Sequence, residues 1–160
     1  MRMLLLHAAV FAIVAAGSGV AIAAAPASDP VVGTWQLSGS KSTFTAGPAL
    51  KSQTRTYSQS GQSITLVMKT VGADGKEVTT RATYQLDGKD YPVTGTPDYD
   101  SLSAQQVDSN TAKFKLMKGG KVVGTTSRTV SKDGKTLTAI MKLTTAKGEK
   151  SESEMVFDKQ

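Results

Sequence analysis

The sequence predicts an all-β domain, an antiparallel up-and-down meander of about nine or ten strands that closes into a barrel. From about residue 31 onward, short runs rich in Thr, Val, Tyr and Ser alternate apolar and polar side chains with a period of two. Gly, Asp and Asn separate these runs at intervals of about 10 to 14 residues, and no stretch of the mature chain holds a helical period. A meander of this length either closes or leaves two exposed edges, and closure removes the edges.

The first element is a leader. A basic start at Arg2, an apolar run from Met3 to Ala16 and small residues from Gly17 to Pro26 are the order of a secretory signal peptide. Ala21-Ile22-Ala23 fits the A-x-A cleavage rule, so the expected cut falls after Ala23 and the leader is 1–23. A cut after Ala25 would place Pro26 just past the scissile bond. The apolar part is shorter than the roughly 20 residues of a spanning helix and is broken by Gly17 and Gly19. No membrane anchor is therefore expected after cleavage, and the expected location is periplasmic or extracellular. Residues 24–30 read as a linker and 31–160 as a single domain with one core.

Within that domain the candidate strands are 31–38, 51–60, 63–71, 77–86, 91–94, 101–107, 111–117, 122–130, 135–146 and 152–158, with a short helical turn possible over 40–44. Their connections include Gly61-Gln62, Asp87-Gly88, Gly119-Gly120 and Asp133-Gly134, residues that tolerate positive φ in hairpins. Alternation assigns the inner face to Val31, Gly33, Trp35 and Leu37 in the first strand. It does the same for Ile64, Leu66 and Met68, for Val78, Ala82, Tyr84 and Leu86, for Ala112, Phe114 and Leu116, and for Leu137, Ala139, Met141 and Leu143.

Register then decides one charged residue. Were Gly119-Gly120 and Asp133-Gly134 both plain two-residue turns, the Phe114 and Leu137 sets would fall on opposite faces, so one connection carries an extra residue. An extra residue at Lys118-Gly119-Gly120 turns Val122, Gly124, Thr126, Arg128 and Val130 inward. An extra residue at Lys132-Asp133-Gly134 turns Val123, Thr125, Ser127 and Thr129 inward instead. The first choice buries two valines and the second one, which favours an inward Arg128.

Composition excludes much chemistry. The chain has no cysteine, and its single histidine, His7, lies in the leader. The mature protein therefore lacks disulfides, Ser-His-Asp and Cys-His sites, His or Cys haem ligation and the usual zinc sites. No cofactor and no metal are expected. The formal charge of +6 comes from scattered residues such as Lys118, Lys121, Lys132, Lys135, Lys147 and Lys150, which flank turns. These read as a solvated surface, and without interleaved aromatics they do not suggest a nucleic-acid partner.

Gly33-Thr34-Trp35 at the head of the first strand, followed by a small antiparallel meander, resembles the lipocalin and fatty-acid-binding-protein group. The resemblance implies a calycin-type barrel opened by G-x-W, with a late arginine packed across the Trp ring, a role for which Arg128 is the candidate. The mature chain is also similar to small secreted bacterial proteins of unassigned activity that share segments such as Gly88–Gly95 and Val130–Thr138. Two departures set it apart from the fatty-acid-binding branch. Residues 45–50 leave no space for a helix pair, and the last strand, Glu154-Met155-Val156-Phe157-Asp158, lacks an Arg-x-Tyr clamp.

The function expected is non-catalytic binding of a small, mostly apolar ligand in the barrel, lined by Trp35, Arg55, Tyr57, Met68, Tyr84, Phe114, Arg128 and Met141. The alternative is a structural or protein-interaction module of the cell envelope with a packed interior. The segment 88–100, with Pro92, Pro97, Asp98 and Asp100, reads as a rim or lid. Its Asp-x-Asp spacing lacks the further oxygen ligands of a calcium loop. An acid/base pair of Asp98 with Glu77 or Asp90 is the remaining enzymatic option.

Overall fold

A computed structural model of the protein describes residues 27–160, so the leader, its cut after Ala23 and the start of the linker lie outside the described residues. The strands are β1 (Gly33–Leu37), β2 (Thr43–Ala46), β3 (Ser52–Ser60), β4 (Ser63–Val71), β5 (Glu77–Tyr84) and β6 (Asp87–Thr94). The meander continues through β7 (Ser101–Gln106), β8 (Thr111–Lys118), β9 (Lys121–Val130), β10 (Thr136–Thr144) and β11 (Lys150–Lys159). Consecutive strands pair antiparallel from β3 to β11, and β1 pairs with both β3 and β11, which closes the barrel as the alternation predicts.

The first strand is broken. A 3-10 turn at Gly39–Lys41 stands where a helical turn is expected over 40–44, and the chain then resumes as β2 along β11. Thr43–Ala46 escapes the sequence reading because four residues cannot establish an alternation. One barrel end carries the β3–β4, β5–β6, β7–β8 and β9–β10 connections together with Ala27–Val32, and we call it the closed end. The opposite end, the mouth, carries the connections after β2, β4, β6, β8 and β10.

The inward sets fall largely where alternation places them. Trp35, Ile64, Tyr84, Leu137, Met155 and Phe157 are fully buried at or near the closed end. One inward assignment fails, that of Val122, which is 58% exposed; Val78 shares the inward face of Thr80 and Ala82 but stands at the mouth rim. The reason at Val122 is a bulge. Gly119-Gly120 is a two-residue turn after all, with Lys118 opposite Lys121, and the extra residue enters where Met117 pairs with Val122 but Leu116 pairs with Gly124. The expected three-residue loop is absent, yet Gly124, Thr126, Arg128 and Val130 still turn inward.

The weak strand signal over 88–100 hides a real strand, since β6 begins at Asp87 with a bulge before Asp90. It pairs with β5 only at Arg81–Thr94 and Ala82–Val93. Gly95 ends β6 at φ +86°, where a Cβ would stand 1.9 Å from the Thr79 carbonyl oxygen, so only glycine lets the two strands approach.

Candidate functional site in the barrel interior

All eight residues expected to line a site lie on inward-facing positions, but at different depths. Trp35 closes the bottom. Its Nε1 donates to the Val31 carbonyl at 2.7 Å, and Lys159 Nζ stands 5.1 Å from its ring centroid. Gly33 makes room for that lysine, because a Cβ there would stand 2.8 Å from Lys159 Cε. The cation expected across the Trp ring is therefore Lys159 and not Arg128. Strands β10 and β11 separate β9 from β1, and Arg128 is drawn elsewhere.

Arg128 Nη2 donates to Asp29 Oδ2 at 2.7 Å, and its guanidinium lies 5.5 Å from the Tyr57 ring centroid and 5.7 Å from that of Phe114. Tyr84 meets Phe114 edge-on at 5.6 Å. Asp29 is held in place because its own N–H donates to Gln59 Oε1 and its Oδ1 accepts from Val31 N–H. The residues read as a linker thus form part of the closed end.

Arg55 sits one level above, a buried guanidinium with softer company. Its Nε donates to Gln53 Oε1 at 2.8 Å, Nη2 lies 4.0 Å from Met155 Sδ, and the guanidinium stacks 4.4 Å from the Phe157 centroid. Among the described residues no carboxylate lies within ion-pair distance of it. Three buried polar atoms also have no hydrogen-bond partner among those residues: Tyr84 OH, Arg128 Nη1 and Ser153 Oγ. Burial, partly offset by Arg128, pushes the Tyr84 hydroxyl well above the usual tyrosine range, so it remains a donor.

One part of the inner wall is looser. Leu66 opposite Tyr57, Met68 opposite Arg55, and Thr126 opposite Met141 face inward and still keep accessible surface, whereas Gln53, Thr80, Leu116, Leu143 and Ser153 nearer the mouth are buried. Leu37, Phe44, Leu50 and Tyr99 surround them as partly buried neighbours.

Residues 95–100 cross the mouth as the expected rim. Asp98 Oδ1 accepts from Ala146 N–H at 2.9 Å, and Asp100 Oδ2 accepts from Gly119 N–H at 3.0 Å. Tyr99 between them is pressed toward the interior, and burial raises its pKa. The two aspartates are thus occupied in fastening a loop. No group of three His, Cys, Asp or Glu side chains suited to a metal occurs among the described residues.

Two surface depressions were not anticipated. One, of about 480 Å³, lies on the outer face of β7–β10 between Ser103, Lys113, Lys115, Ser127, Ile140 and Lys142. The other, of about 520 Å³, lies at the closed end between Asp29, Gln59, Gln62, Gln85, Gln106 and Asn110. Outward residues of alternating strands carry no signal that marks a groove, so sequence reasoning passed over both.

The architecture defines a lipocalin-like β-barrel. Comparison with solved structures gives the same fold. EF1p2_mFAP2b bound to DFHBI is 10% identical, with a TM-score of 0.51 over 82% of this chain and 94% of the other. Rv2717c from M. tuberculosis is 14% identical, with a TM-score of 0.50 over 82% of this chain and 93% of that one. A redesigned β-barrel, mFAP1, also bound to DFHBI, is 15% identical with a TM-score of 0.47, covering 81% and 95%. At these identities the likeness is one of fold. No protein-family model and no curated protein matches the sequence.

Proposed function

We propose that the protein is an exported, non-catalytic binding protein that holds one small, mostly apolar molecule in its barrel. The observation that carries this reading is a patch of looser packing on the inner wall. Trp35, Tyr57, Tyr84 and Phe157 are buried, whereas Leu66, Met68, Thr126 and Met141 retain surface on an inward face. Protein interiors are normally packed solid, so inward apolar side chains with accessible surface mark space for a guest. EF1p2_mFAP2b, a barrel of the same fold, binds DFHBI, which fits a small guest in a barrel of this size.

The test is native mass spectrometry of freshly purified mature protein, paired with titration by the uncharged fluorophore phenylnaphthylamine. The reading predicts a bound small molecule or saturable probe emission at one site per chain. Neither signal would remove it.

A second reading rests on the outer face. Ile140 is 46% exposed and lies between Lys113, Lys115 and Lys142 in a groove, which suits contact with another protein of the cell envelope. Binding of the probe that is lost in Ile140→Asp and kept in interior variants would favour it.

A further inference from the structure

The closed end gathers most of the chain's carboxamides into one cleft. The sequence has eight glutamines and one asparagine. Gln59, Gln62, Gln85, Gln106 and Asn110 all line the depression of about 520 Å³ beside Asp29, although they come from the ends of β3, β5 and β7, the β3–β4 turn and the approach to β8. Among the described residues no lysine or arginine lines it, in a chain that has 19 of them. Its two carboxylates are already engaged, Asp29 with Arg128 at 2.7 Å and Asp87 with the Tyr91 hydroxyl at 3.0 Å and the Lys89 N–H at 3.1 Å. Two of the amides are engaged as well. Gln59 accepts from the Asp29 N–H and donates to the Gly61 carbonyl, while Asn110 donates to the Val130 carbonyl and accepts from the Ser109 hydroxyl. Among the described residues the side chains of Gln62 and Gln106 make no hydrogen bond, and that of Gln85 makes one, from Nε2 to Ser63 Oγ at 3.4 Å.

The capacity left over is uncharged and of both kinds, since a carboxamide presents donors and an acceptor side by side. A cationic ligand calls for a free carboxylate and an anionic one for a free ammonium or guanidinium, whereas a hydroxyl donates and accepts at one atom. The floor between the amides is apolar, with Ile64 buried and Leu86 and Pro30 half-buried. A sugar ring has the matching pair of surfaces, hydroxyls around its edge and C–H groups across its plane. A peptide pairs best with a free strand edge, and the groups free here are side-chain tips. The volume is that of a small-molecule site. We propose that the closed-end cleft binds an uncharged saccharide, its hydroxyls held by Gln62, Gln85 and Gln106 and one ring face lying on Leu86 and Pro30. This site is separate from the barrel interior and does not depend on a guest there.

The test is titration of isotopically labelled mature protein with cellobiose, with maltose and, as the peptide comparison, with acetyl-triglycine amide, following the side-chain NH₂ resonances by NMR. The same titrations are run on Gln62→Ala/Gln106→Ala and on the outer-groove control Lys113→Gln/Lys115→Gln. A few net hydrogen bonds at an open cleft give weak binding, with a dissociation constant of about 1 to 10 mM. At least one disaccharide is expected to shift the Gln62, Gln85 and Gln106 resonances saturably in wild type and in the groove control. Its affinity should fall at least about ten-fold in the double glutamine variant, with phenylnaphthylamine affinity there unchanged. The proposal is overturned by the absence of saturable shifts at these amides with either disaccharide up to about 100 mM, by equal affinity in the double variant, or by saturation with the peptide alone. Any of these results alongside intact phenylnaphthylamine binding removes the cleft and leaves the barrel reading standing. Should the double variant fail to fold, the wild-type shifts at the three named amides decide.

Discussion

Arg128 on β9 and Asp29 ahead of β1 form an ion pair at 2.7 Å although 99 positions separate them in the chain. Their side chains are only 5% and 12% exposed, so the pair sits inside the closed end and not on its surface. It ties the entering segment to the barrel and holds Arg128 between Tyr57 and Phe114.

Removing one partner of such a pair leaves the other charge buried alone. Asp29→Ala is expected to lower stability by about 3 kcal/mol, read from urea denaturation midpoints at constant slope. The double variant Asp29→Ala/Arg128→Met should recover part of that loss. A loss below about 1 kcal/mol, the range of an exposed pair, would show that the segment is not docked in solution.

Glycine is required at Gly95 by contact and tolerated elsewhere by turn geometry alone. Gly95→Ala should cost more than about 2 kcal/mol, since its Cβ meets the Thr79 carbonyl and φ is positive. Gly134→Ala, at φ +70° with open space around it, should cost only about 1 kcal/mol. Thermal unfolding of the two variants side by side measures the difference, and equal losses would contradict the close approach of β5 and β6.

The mouth loop has an acid-sensitive fastening. The Gly119 N–H holds the Asp100 carboxyl below the ordinary aspartate value of 3.8, so the fastening is present above that value and is lost as pH falls through the lowered one. The Gly119 amide proton resonance should therefore shift with an inflection below 3.8, and the inflection should disappear in Asp100→Asn. An inflection at or above the ordinary value would mean that the contact does not form.

Tyr99 stands on the mouth loop and packs into the interior, where Arg55 and Tyr57 lie near it. Tyr99→Ala should speed both association and dissociation of phenylnaphthylamine in stopped-flow by several-fold, leaving the equilibrium affinity within about two-fold. A change in affinity with unaltered rates would place Tyr99 in the site itself and not over it.

The barrel was legible because alternation and turn chemistry are local. Trp35, Ile64, Tyr84, Phe114 and Leu137 point inward for the same reason that the period of a strand is two. Arg128 was also legible, though through a loop length that proves to be a bulge at Leu116–Met117, because any single extra residue in that hairpin flips the face. What local pattern could not reveal are long-range pairings. Nothing near Asp29 points to Arg128, nothing near Lys159 points to Trp35, and nothing in Asp98 or Asp100 identifies the backbone amides that they hold. Val122 was misplaced by the same bulge that brought Arg128 inward.

The central claim is that the guest lies inside the barrel, and its most direct test is the affinity of phenylnaphthylamine for Leu66→Trp set against Ile140→Asp. Leu66→Trp fills the inward space opposite Tyr57, and the account predicts at least about a ten-fold loss of affinity there with no change in Ile140→Asp. Full affinity in folded Leu66→Trp, with the loss appearing in Ile140→Asp, would contradict it and move the site to the outer groove.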